Sequence, residues 1–593
     1  MSAIPRRPSS WATGAATAVA LALAPTAASA ATKPADTVIR GGTIRTFDNE
    51  FSVVRALAVR DGRIVYAGTP RGARRFVGPR TRVQDLGGRT VLPGLSDAHI
   101  HVLSGGEQLV TCNLQYAPLT VEQFQARIQA CLDQDGDAGS DDLLQVVNWY
   151  RQAMLPAGTD ATRATLDALT TQRPIVVSSS DGHSTLLNSR ALELAGITAA
   201  TPDPPAGRID RDASGEPTGI LEDNAASLVF DKVPPPTPQE DRAAMAAALK
   251  ALNAAGVTAV GDQQPSTQAL AAYRALHRRG RLTVRDNAAP NIELEEAQQG
   301  PQAAVDRLLG LRRRFETGGL RPRAGIRVRA SGELFQDGVL QAPAHTASLL
   351  APYFDADGNP TADAGPVPYW PDPTLSDLLV RLVRAGFSPQ VHAIGDRAVR
   401  ATLDDFAAVR ERVGDAPRLA IAHAELVDPA DFGRFKALDV TPVMSFQWGK
   451  PAPDSIDAAK AFMGPERFER MEPEGRLQDA GARIAFGSDW PVDALNEFFA
   501  VEVGVTRRND PASGYEGRLN GDPGLTRREA FRAITTQSAY EMGTERRTGS
   551  LEVGKLADFI VVSKDPMKGA ATAISETKVL RTVVGGRTVY RTR

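Results

Sequence analysis

The chain has 593 residues, of which 42% are hydrophobic and 23% charged, and its formal net charge is -2. This composition is that of a folded globular protein and excludes an intrinsically disordered chain. The near-neutral charge implies no nucleic-acid or other polyanionic partner, and the length predicts about two or three structural units.

The first 30 residues have the pattern of a secretory signal peptide. Arg6 and Arg7 precede an apolar run from Ala15 to Ala24, and the small residues Ala28, Ser29 and Ala30 stand at a cleavage position. The run is too short to span a ~30 Å hydrocarbon core. We therefore expect an exported protein, periplasmic or secreted, with no membrane span, and the arginine pair leaves Sec and twin-arginine export open.

Both ends of the remaining chain have the pattern of β-hairpins. Short Val/Ile-rich runs interrupted by Gly-Gly, Asp-Asn and Asp-Gly fill residues 36–68. The same pattern returns at residues 549–567 and 578–591. It predicts one small β-sandwich built from residues 31–90 and 546–593.

The long middle, residues 91–545, alternates strand-like and helix-like segments. Residues 375–386, for example, form an amphipathic helix that ends at a glycine just before the next apolar run. Repeated units of this kind predict an α/β protein and favour a closed (β/α)8 TIM barrel over an open sheet. Residues 105–235, approximately, are richer in loops and proline, and we predict an insertion that caps the site.

The chain has two cysteines, Cys112 and Cys131, and both lie in this predicted insertion. In an exported protein disulfides persist, so we predict that the two are paired. Two buried free thiols remain the alternative, because spacing along the sequence does not determine the geometry of a pair.

The stretch VLPGLSDAHIHVLSGG, residues 91–106, is an apolar run that ends in polar side chains. Residues two apart on a strand point to the same face, so Asp97, His99 and His101 share one face, which in a barrel is the interior. Both imidazoles can then reach one metal ion. For this motif taken alone, two core histidines bonded to the backbone are an equal alternative.

Three further apolar runs end in ligand-type residues. Residues 389–392 end in His392, residues 419–423 end in His423, and residues 483–489 end in Asp489. Catalytic groups of (β/α)8 enzymes lie at the carboxyl ends of the strands. Together with His99 and His101, these residues form a ligand set for one or two divalent ions, with Zn²⁺ favoured.

Longer motifs occur in a fixed order along the chain: LPGLSDAHIH, DGHSTLLNSRALELAGI, GEPTGILEDNA, HAIGDRAV, IAHAEL, FGSDWPV and GSLEVGKLADFIVV. On these motifs the chain resembles, almost end to end, the amidohydrolase superfamily and within it the amidohydrolase-3 or YtcJ-like family. The resemblance implies a metal-dependent hydrolase with a composite β-sandwich. It implies metal ligands at His99, His101, His392 and His423, and a general base at Asp489 that also ligates metal.

One position departs from the family. Where relatives carry a lysine that is N-carboxylated to bridge two metals, the segment SGELFQDG places Glu333. Other branches of the superfamily use glutamate as the bridge, so two ions, with Glu333 as a ligand of both, are the favoured interpretation. A single ion, with Glu333 paired to an arginine instead, is the alternative.

These ligands predict a reaction. A bound divalent metal lowers the pKa of water towards about 7 and supplies hydroxide at neutral pH. Asp489 would accept the proton of the attacking water and pass it to the leaving nitrogen. Asp181 and His183 follow the apolar strand 174–179, and we expect both to contact substrate, with His183 donating to the carbonyl or oxyanion. Trp149 either lines the pocket or packs in the core.

The sequence therefore predicts an exported hydrolase that cleaves a carbon–nitrogen bond of a small non-peptide amide. An ester or lactone hydrolase that uses the same site remains a second interpretation. A non-catalytic exported binding or regulatory protein on the same scaffold is a third, because fold does not imply function. The sequence leaves the formation of a homo-oligomer open.

Overall fold

The computed structural model describes residues 32–135, 142–156, 158–180, 184–204, 207–233, 235–342, 344–415 and 417–592. The predicted signal peptide, residues 1–30, lies outside these ranges. Over these residues, no helix combines the length and apolar character needed to span a bilayer. The strands of the described residues form four sheets.

The first sheet is built from both ends of the chain. The strand Thr90–Pro93 pairs antiparallel with Phe559–Val562, so that Pro93 lies opposite Phe559. The two ends thus share one sheet, while a second layer, which would make it a sandwich, remains a prediction. The strands of the sheet built from the chain ends are Thr37–Arg45, Val53–Arg60, Arg63–Gly68, Arg82–Asp85, Thr90–Pro93, Phe559–Val562, Val579–Val584 and Arg587–Arg591.

A second sheet lies within the predicted insertion and has its own hydrophobic core, which includes Phe124, Ile128 and Val177. A disulfide between Cys112 and Cys131 joins the edge of this sheet to the helix Val121–Asp135, which confirms the predicted pairing. The strands, in spatial order, are Gly207–Arg211, Pro217–Asp223, Ser184–Leu187, Ile175–Ser179, Leu144–Trp149 and Cys112–Asn113. The accompanying helices are Val121–Asp135, Arg163–Asp167, Ser189–Ala195 and Ser227–Phe230.

The remaining two sheets are parallel and hold the middle of the chain together. Within each sheet, neighbouring strands follow one another in sequence, as in a barrel. The first parallel sheet contains Leu95–Ile100, Val257–Asp262, Arg285–Ala288 and Ile326–Val328. The second parallel sheet contains Ala330–Phe335, Ser388–Ala393, Leu419–His423, Val440–Met444 and Ala485–Phe486.

The two parallel sheets meet on both sides. On one side, a single residue separates the strands Ile326–Val328 and Ala330–Phe335. On the other side, the backbone N–H of Asp489 donates to the carbonyl of His99 at 2.9 Å. The structure therefore has two parallel sheets in barrel order rather than the single continuous ring that the sequence predicted.

Helices separate the parallel strands and cover them. They are Val102–Val110, Pro238–Ala255, Thr267–Arg278, Leu294–Gln299, Pro301–Phe315, Thr374–Arg384, Asp396–Val413, Phe432–Ala437, Ala461–Phe468 and Glu474–Asp479. Further helices are Pro70–Ala73 near the start, and Glu497–Thr506, Arg527–Arg532 and Ser538–Glu541 after the last parallel strand.

The helix Thr374–Arg384 shows how the sequence produces one such unit. Its leucines recur at intervals of three and four residues, so they form one buried stripe against the sheet. The helix is followed by Gly386, whose φ of 78° is the left-handed conformation that glycine adopts without steric cost. The turn leads directly into the strand Ser388–Ala393, as the sequence predicted.

A buried ion pair fastens the first parallel sheet to the sheet built from the chain ends. Arg285 donates through Nε and Nη2 to the two carboxylate oxygens of Asp558 at 2.7 and 2.9 Å, and both side chains are 4% exposed. The backbone N–H of Gly585 donates to the same carboxylate at 2.6 Å. These bonds satisfy charges that would be costly to bury unpaired.

We predict that Asp558→Ala lowers the free energy of unfolding by about 3–5 kcal/mol, because it leaves the Arg285 guanidinium buried without its partner. Urea unfolding followed by circular dichroism measures this change. The matched control is Glu576→Ala, which removes an exposed pair with Lys564 and is expected to have little effect. Equal effects of the two substitutions would contradict this role for the buried pair.

Candidate metal centre

The two histidines of the DAHIH motif stand at the carboxyl end of the first parallel strand. His99 is the penultimate residue of the strand Leu95–Ile100, and His101 follows the strand directly. His99 is buried, whereas the side chain of His101 is 21% exposed. The Nε2 atoms of both rings face the same two carboxylates, those of Glu333 and Asp489.

Glu333 lies between the histidines of the two parallel sheets. Its Oε2 is 3.2 Å from His392 Nδ1, 3.2 Å from His423 Nε2 and 3.5 Å from His99 Nε2. Its Oε1 is 3.7 Å from His101 Nε2. One carboxylate oxygen therefore faces His99, His392 and His423, and the other faces His101.

Asp489 lies on the side of the cluster formed by His99 and His101 of the DAHIH motif. Its Oδ1 is 3.1 Å from His101 Nε2 and 3.3 Å from His99 Nε2. Asp489 and His423 both have positive φ, 54° and 73° respectively, which costs energy in a residue other than glycine. Strained backbone of this kind is concentrated at functional sites.

The side chains fit divalent metal ions. The Nε2 of His99 and the Oδ1 of Asp489 are buried and form no directed hydrogen bond with the described residues. Imidazole nitrogens and carboxylate oxygens are the donors that Zn²⁺ and similar ions prefer. Three sets of donor atoms lie within 4.8 Å of one another: those of His99, His423 and Asp489; of His99, His101 and Glu333; and of Glu333, His392 and His423.

The ring of His392 is oriented by a backbone carbonyl. Its Nε2 is 3.2 Å from the carbonyl of Gly338, which can only accept a hydrogen bond, so Nε2 carries the proton and Nδ1 faces Glu333. Asp337 precedes Gly338 and accepts three backbone N–H bonds, two of them from Ile394 and Gly395. These bonds hold the segment after Glu333 against the segment after His392.

Asp97 supports the site without reaching its centre. Its carboxylate accepts bonds from the backbone N–H of His99 at 3.1 Å and of Ser488 at 3.0 Å, and from the hydroxyl of Ser488 at 2.5 Å. It thereby ties the strand that carries His99 to the segment that carries Asp489. The sequence predicted Asp97 on the face shared with His99 and His101, and in the structure it links a strand to the segment that follows another strand.

In the metal-free cluster the pKa values of the histidines differ. Burial lowers the pKa of an imidazole, but at His101 the Asp489 carboxylate outweighs burial and raises the pKa to about 9. At His392 burial again lowers the pKa, but the Glu333 carboxylate outweighs it and raises the pKa to about 9. At His423, burial and the charge of His392 both lower the pKa, to about 4.

The surrounding imidazoles lower the pKa values of both carboxylates, Glu333 and Asp489. Burial alone would raise the pKa of Glu333, but the charge of His99 and hydrogen bonds from the other imidazoles hold it well below its usual value. Asp489 has a lowered pKa for the same reason, with His99 again the strongest partner. Both groups are therefore ionised at neutral pH, which is the state that binds metal.

Two aromatic side chains flank the cluster, and sequence reasoning missed both. Phe335 packs on the ring of His392 with 4.5 Å between centroids, and Trp448 stacks on the ring of His423 at 5.3 Å. Both are half-buried. Phe335 ends a parallel strand and Trp448 lies a few residues beyond the end of another, so position at a strand end was the signal available in the sequence.

The sequence assigned three further residues, Asp181, His183 and Trp149, to substrate binding. Asp181 and His183 lie outside the described residues. Trp149 is 1% exposed and packs against Phe124, with 5.7 Å between ring centroids, in the core of the insertion. This is the core alternative that the sequence left open, so we no longer assign Trp149 a contact with substrate.

The sequence is similar to those of known proteins over almost its whole length. Residues 82–590 match the amidohydrolase family. N-substituted formamide deformylase of Arthrobacter pascens is 26% identical over 582 residues, which cover 94% of this chain and 98% of that protein. Bacillus subtilis (strain 168) YtcJ is 28% identical over 569 residues, 93% of this chain and 98% of that protein.

The fold itself matches a solved structure. A metal-dependent hydrolase from Pyrococcus horikoshii OT3 superposes with a TM-score of 0.69 at 24% sequence identity, and the match covers 90% of this chain and 99% of that one. Together with the strand order of the two parallel sheets, this match supports a fold of the TIM-barrel type.

The raised pKa values predict that metal binding depends on pH. Only a neutral imidazole binds a metal, so an ion must displace protons from His101 and His392 below their pKa of about 9. We expect the apparent affinity for Zn²⁺ to rise by up to about tenfold per pH unit for each of these imidazoles between about pH 6 and 9, and then to level off.

Competition against a chelator of known affinity at fixed pH values measures this dependence. The control is His277→Asn, because His277 lies outside the cluster with its Nδ1 at 3.0 Å from the carbonyl of Ala324. This variant should keep the slope. An affinity that does not change between about pH 6 and 8 would contradict the assignment of these imidazoles as ligands.

Proposed function

The chain belongs to the amidohydrolase family, and on that premise we propose that it is a metal-dependent hydrolase that cleaves a carbon–nitrogen bond of a small non-peptide amide. The observation that carries this proposal is the position of Glu333 between two pairs of histidines, with Asp489 beside one pair. Two divalent ions, with Zn²⁺ favoured, are the occupants that this donor set suits best.

His99, His101 and Asp489 would hold one ion, His392 and His423 the other, and Glu333 would ligate both. Ions bound there supply Lewis-acid chemistry, in that they polarise a carbonyl group and lower the pKa of water. The departure from the family's lysine is thus a replacement of one bridging carboxylate by another. Glutamate is shorter than a carboxylated lysine, and the 3.2 Å distances from Glu333 to His392 and His423 accommodate that difference.

Asp489 is the general base and acid of the proposed reaction. Its Oδ1 lies 3.1 Å from His101 Nε2 and 3.3 Å from His99 Nε2, so Asp489 would stand beside the ion that these residues hold and accept the proton of the attacking water. It then delivers that proton to the leaving nitrogen, which must depart as a neutral amine. Its strained backbone, bonded to the carbonyl of His99, holds the carboxylate in one position for both transfers.

The surroundings of the cluster support an uncharged substrate. Phe335 and Trp448 present half-buried aromatic faces beside it, which suit an apolar part of a substrate. The A. pascens relative is named for the deformylation of N-substituted formamides, and an N-substituted amide is the class that we propose here. Asp181 and His183 keep their proposed roles in substrate binding, with His183 as donor to the carbonyl oxygen.

We also propose that the protein is exported. The support is the signal-peptide pattern of residues 1–30 together with the Cys112–Cys131 disulfide. Disulfides of this kind persist in oxidising compartments and are rare in the cytosol.

We predict that Asp489→Asn lowers kcat by about 10²–10⁴-fold, because the amide can neither accept nor deliver the proton. Initial rates on N-substituted formamides, N-acyl amines and cyclic amides, with detection of the released amine, measure the loss. The control is Asp404→Asn, which removes an exposed carboxylate that pairs with Arg434 away from the cluster and should retain most of the activity.

Two outcomes would overturn parts of this proposal. Full activity of Asp489→Asn would remove Asp489 from the proton transfers. A metal-loaded wild-type protein that turns over none of these amides would refute amide hydrolysis: turnover of an ester or lactone would then assign that reaction to the site, and no turnover at all would favour a binding or regulatory protein.

A further inference from the structure

A buried glutamine links a proposed metal ligand to a helix that follows the parallel strands. Gln390 is the third residue of the strand Ser388–Ala393 and is 1% exposed. It stands two residues before His392, so its side chain points into the same interior, one layer deeper. There it contacts His99 of the other parallel sheet and Glu541, the last residue of the helix Ser538–Glu541.

The partners of Gln390 determine how its amide is oriented. Its Nε2 donates to the backbone carbonyl of Ala98 at 3.4 Å and to Oε1 of Glu541 at 3.3 Å. A backbone carbonyl can only accept a hydrogen bond, so the nitrogen of the amide must be on this side. The amide oxygen therefore faces Nδ1 of His99, with which it forms a short contact.

The orientation of the amide in turn determines which nitrogen of His99 is free. An amide oxygen can only accept, so Nδ1 of His99 carries a proton. Nε2, which lies 3.3 Å from Asp489 Oδ1 and 3.5 Å from Glu333 Oε2, is then the nitrogen that would bind a metal once its own proton is displaced. We infer that Gln390 is a positioning residue that selects the metal-binding tautomer of His99, an inference that rests on the proposed metal-dependent function.

This arrangement differs from that of the other buried ligands. The ring of His392 is held by the backbone carbonyl of Gly338, which no substitution of a side chain removes directly. The Nδ1 of His423 has no hydrogen-bond partner within the described residues. His99 is therefore a ligand whose tautomer depends on one replaceable side chain, and Glu541 in turn holds that side chain from the far side.

The hydrogen bonds run in one direction, because His99 donates to Gln390 and Gln390 donates to Glu541. Glu541 lies at one end, where its Oε1 accepts a hydrogen bond from Gln390, and Gln390 in turn accepts one from His99. An imidazole that donates through Nδ1 is a better ligand at Nε2, and loss of such a partner typically costs about 10–100-fold in metal affinity. Methionine at position 390 would keep the volume of the side chain and remove both the acceptor and the donor.

We expect Gln390→Met to raise the dissociation constant for Zn²⁺ by about 10–100-fold in the full-length protein, measured by chelator competition after removal of metal. The matched control is Gln263→Met. Gln263 is also buried and donates to the same carbonyl of Ala98, at 3.3 Å, but forms no hydrogen bond with a histidine of the described part of the chain. This control should bind zinc as the wild type does, and circular dichroism of both metal-free variants checks that they are folded.

A second variant keeps the test decisive if Gln390→Met does not fold. The double substitution Gln390→Glu with Glu541→Gln exchanges the two polar groups, so that a carboxylate still accepts from His99 and an amide donates to it from the far side. This variant should bind zinc within about threefold of the wild type, because an acceptor for Nδ1 is retained.

Wild-type affinity in folded Gln390→Met would overturn the inference, as would a loss in the exchanged double variant as large as the loss expected for Gln390→Met. If instead the wild-type protein itself takes up no zinc, the proposed metal-dependent function fails. The two failures are therefore distinguishable in the same titration, and neither depends on an assay of hydrolysis.

Discussion

The burial of the Glu333 carboxylate is the constraint on which the site depends. A carboxylate that is 3% exposed is costly unless positive charge surrounds it. Imidazoles from three strand ends surround Glu333, one of them in the first parallel sheet and two in the second. The charge that compensates Glu333 therefore also joins the carboxyl ends of the two sheets, and divalent ions held between the same atoms would compensate it more fully.

The rest of the fold supplies the rigidity that this cluster requires. At the site, Asp97 fastens the segment of Asp489 to the strand of His99, and both Asp489 and His423 are kept in strained backbone conformations. Away from the site, the Arg285–Asp558 pair fixes the first parallel sheet to the sheet of the chain ends. Strain at a functional site persists only where the surroundings over-determine it, and these buried contacts do so.

Much of the site could be predicted from the sequence because strands obey a simple periodicity. Alternate residues share a face and parallel strands end on one side, so His99, His101, His392, His423 and Asp489 were recognisable as neighbours from their positions in apolar runs. Glu333 was recognisable only as a departure from a family pattern. The disulfide followed from the count of cysteines and the expected compartment.

The rest of the arrangement depends on contacts that the sequence pattern does not show. Gln390 and Glu541 are 151 residues apart, and no periodicity connects a glutamine inside a strand with the end of a distant helix. The orientation of His392 depends on a backbone carbonyl, which every residue has. The position of Trp149 was ambiguous because an aromatic residue at a strand end suits both a pocket and a core. In the structure Trp149 packs in the core of the insertion.

The most direct test of this account is the metal content of the mature protein, purified without chelators and measured by plasma mass spectrometry. If Glu333 is shared between two sites, the wild-type protein carries about two divalent ions per chain, and Glu333→Ala carries about one or none. One ion per wild-type chain, with no change in Glu333→Ala, would contradict the bridging role. A chain that remains empty after incubation with zinc would contradict the metal centre itself.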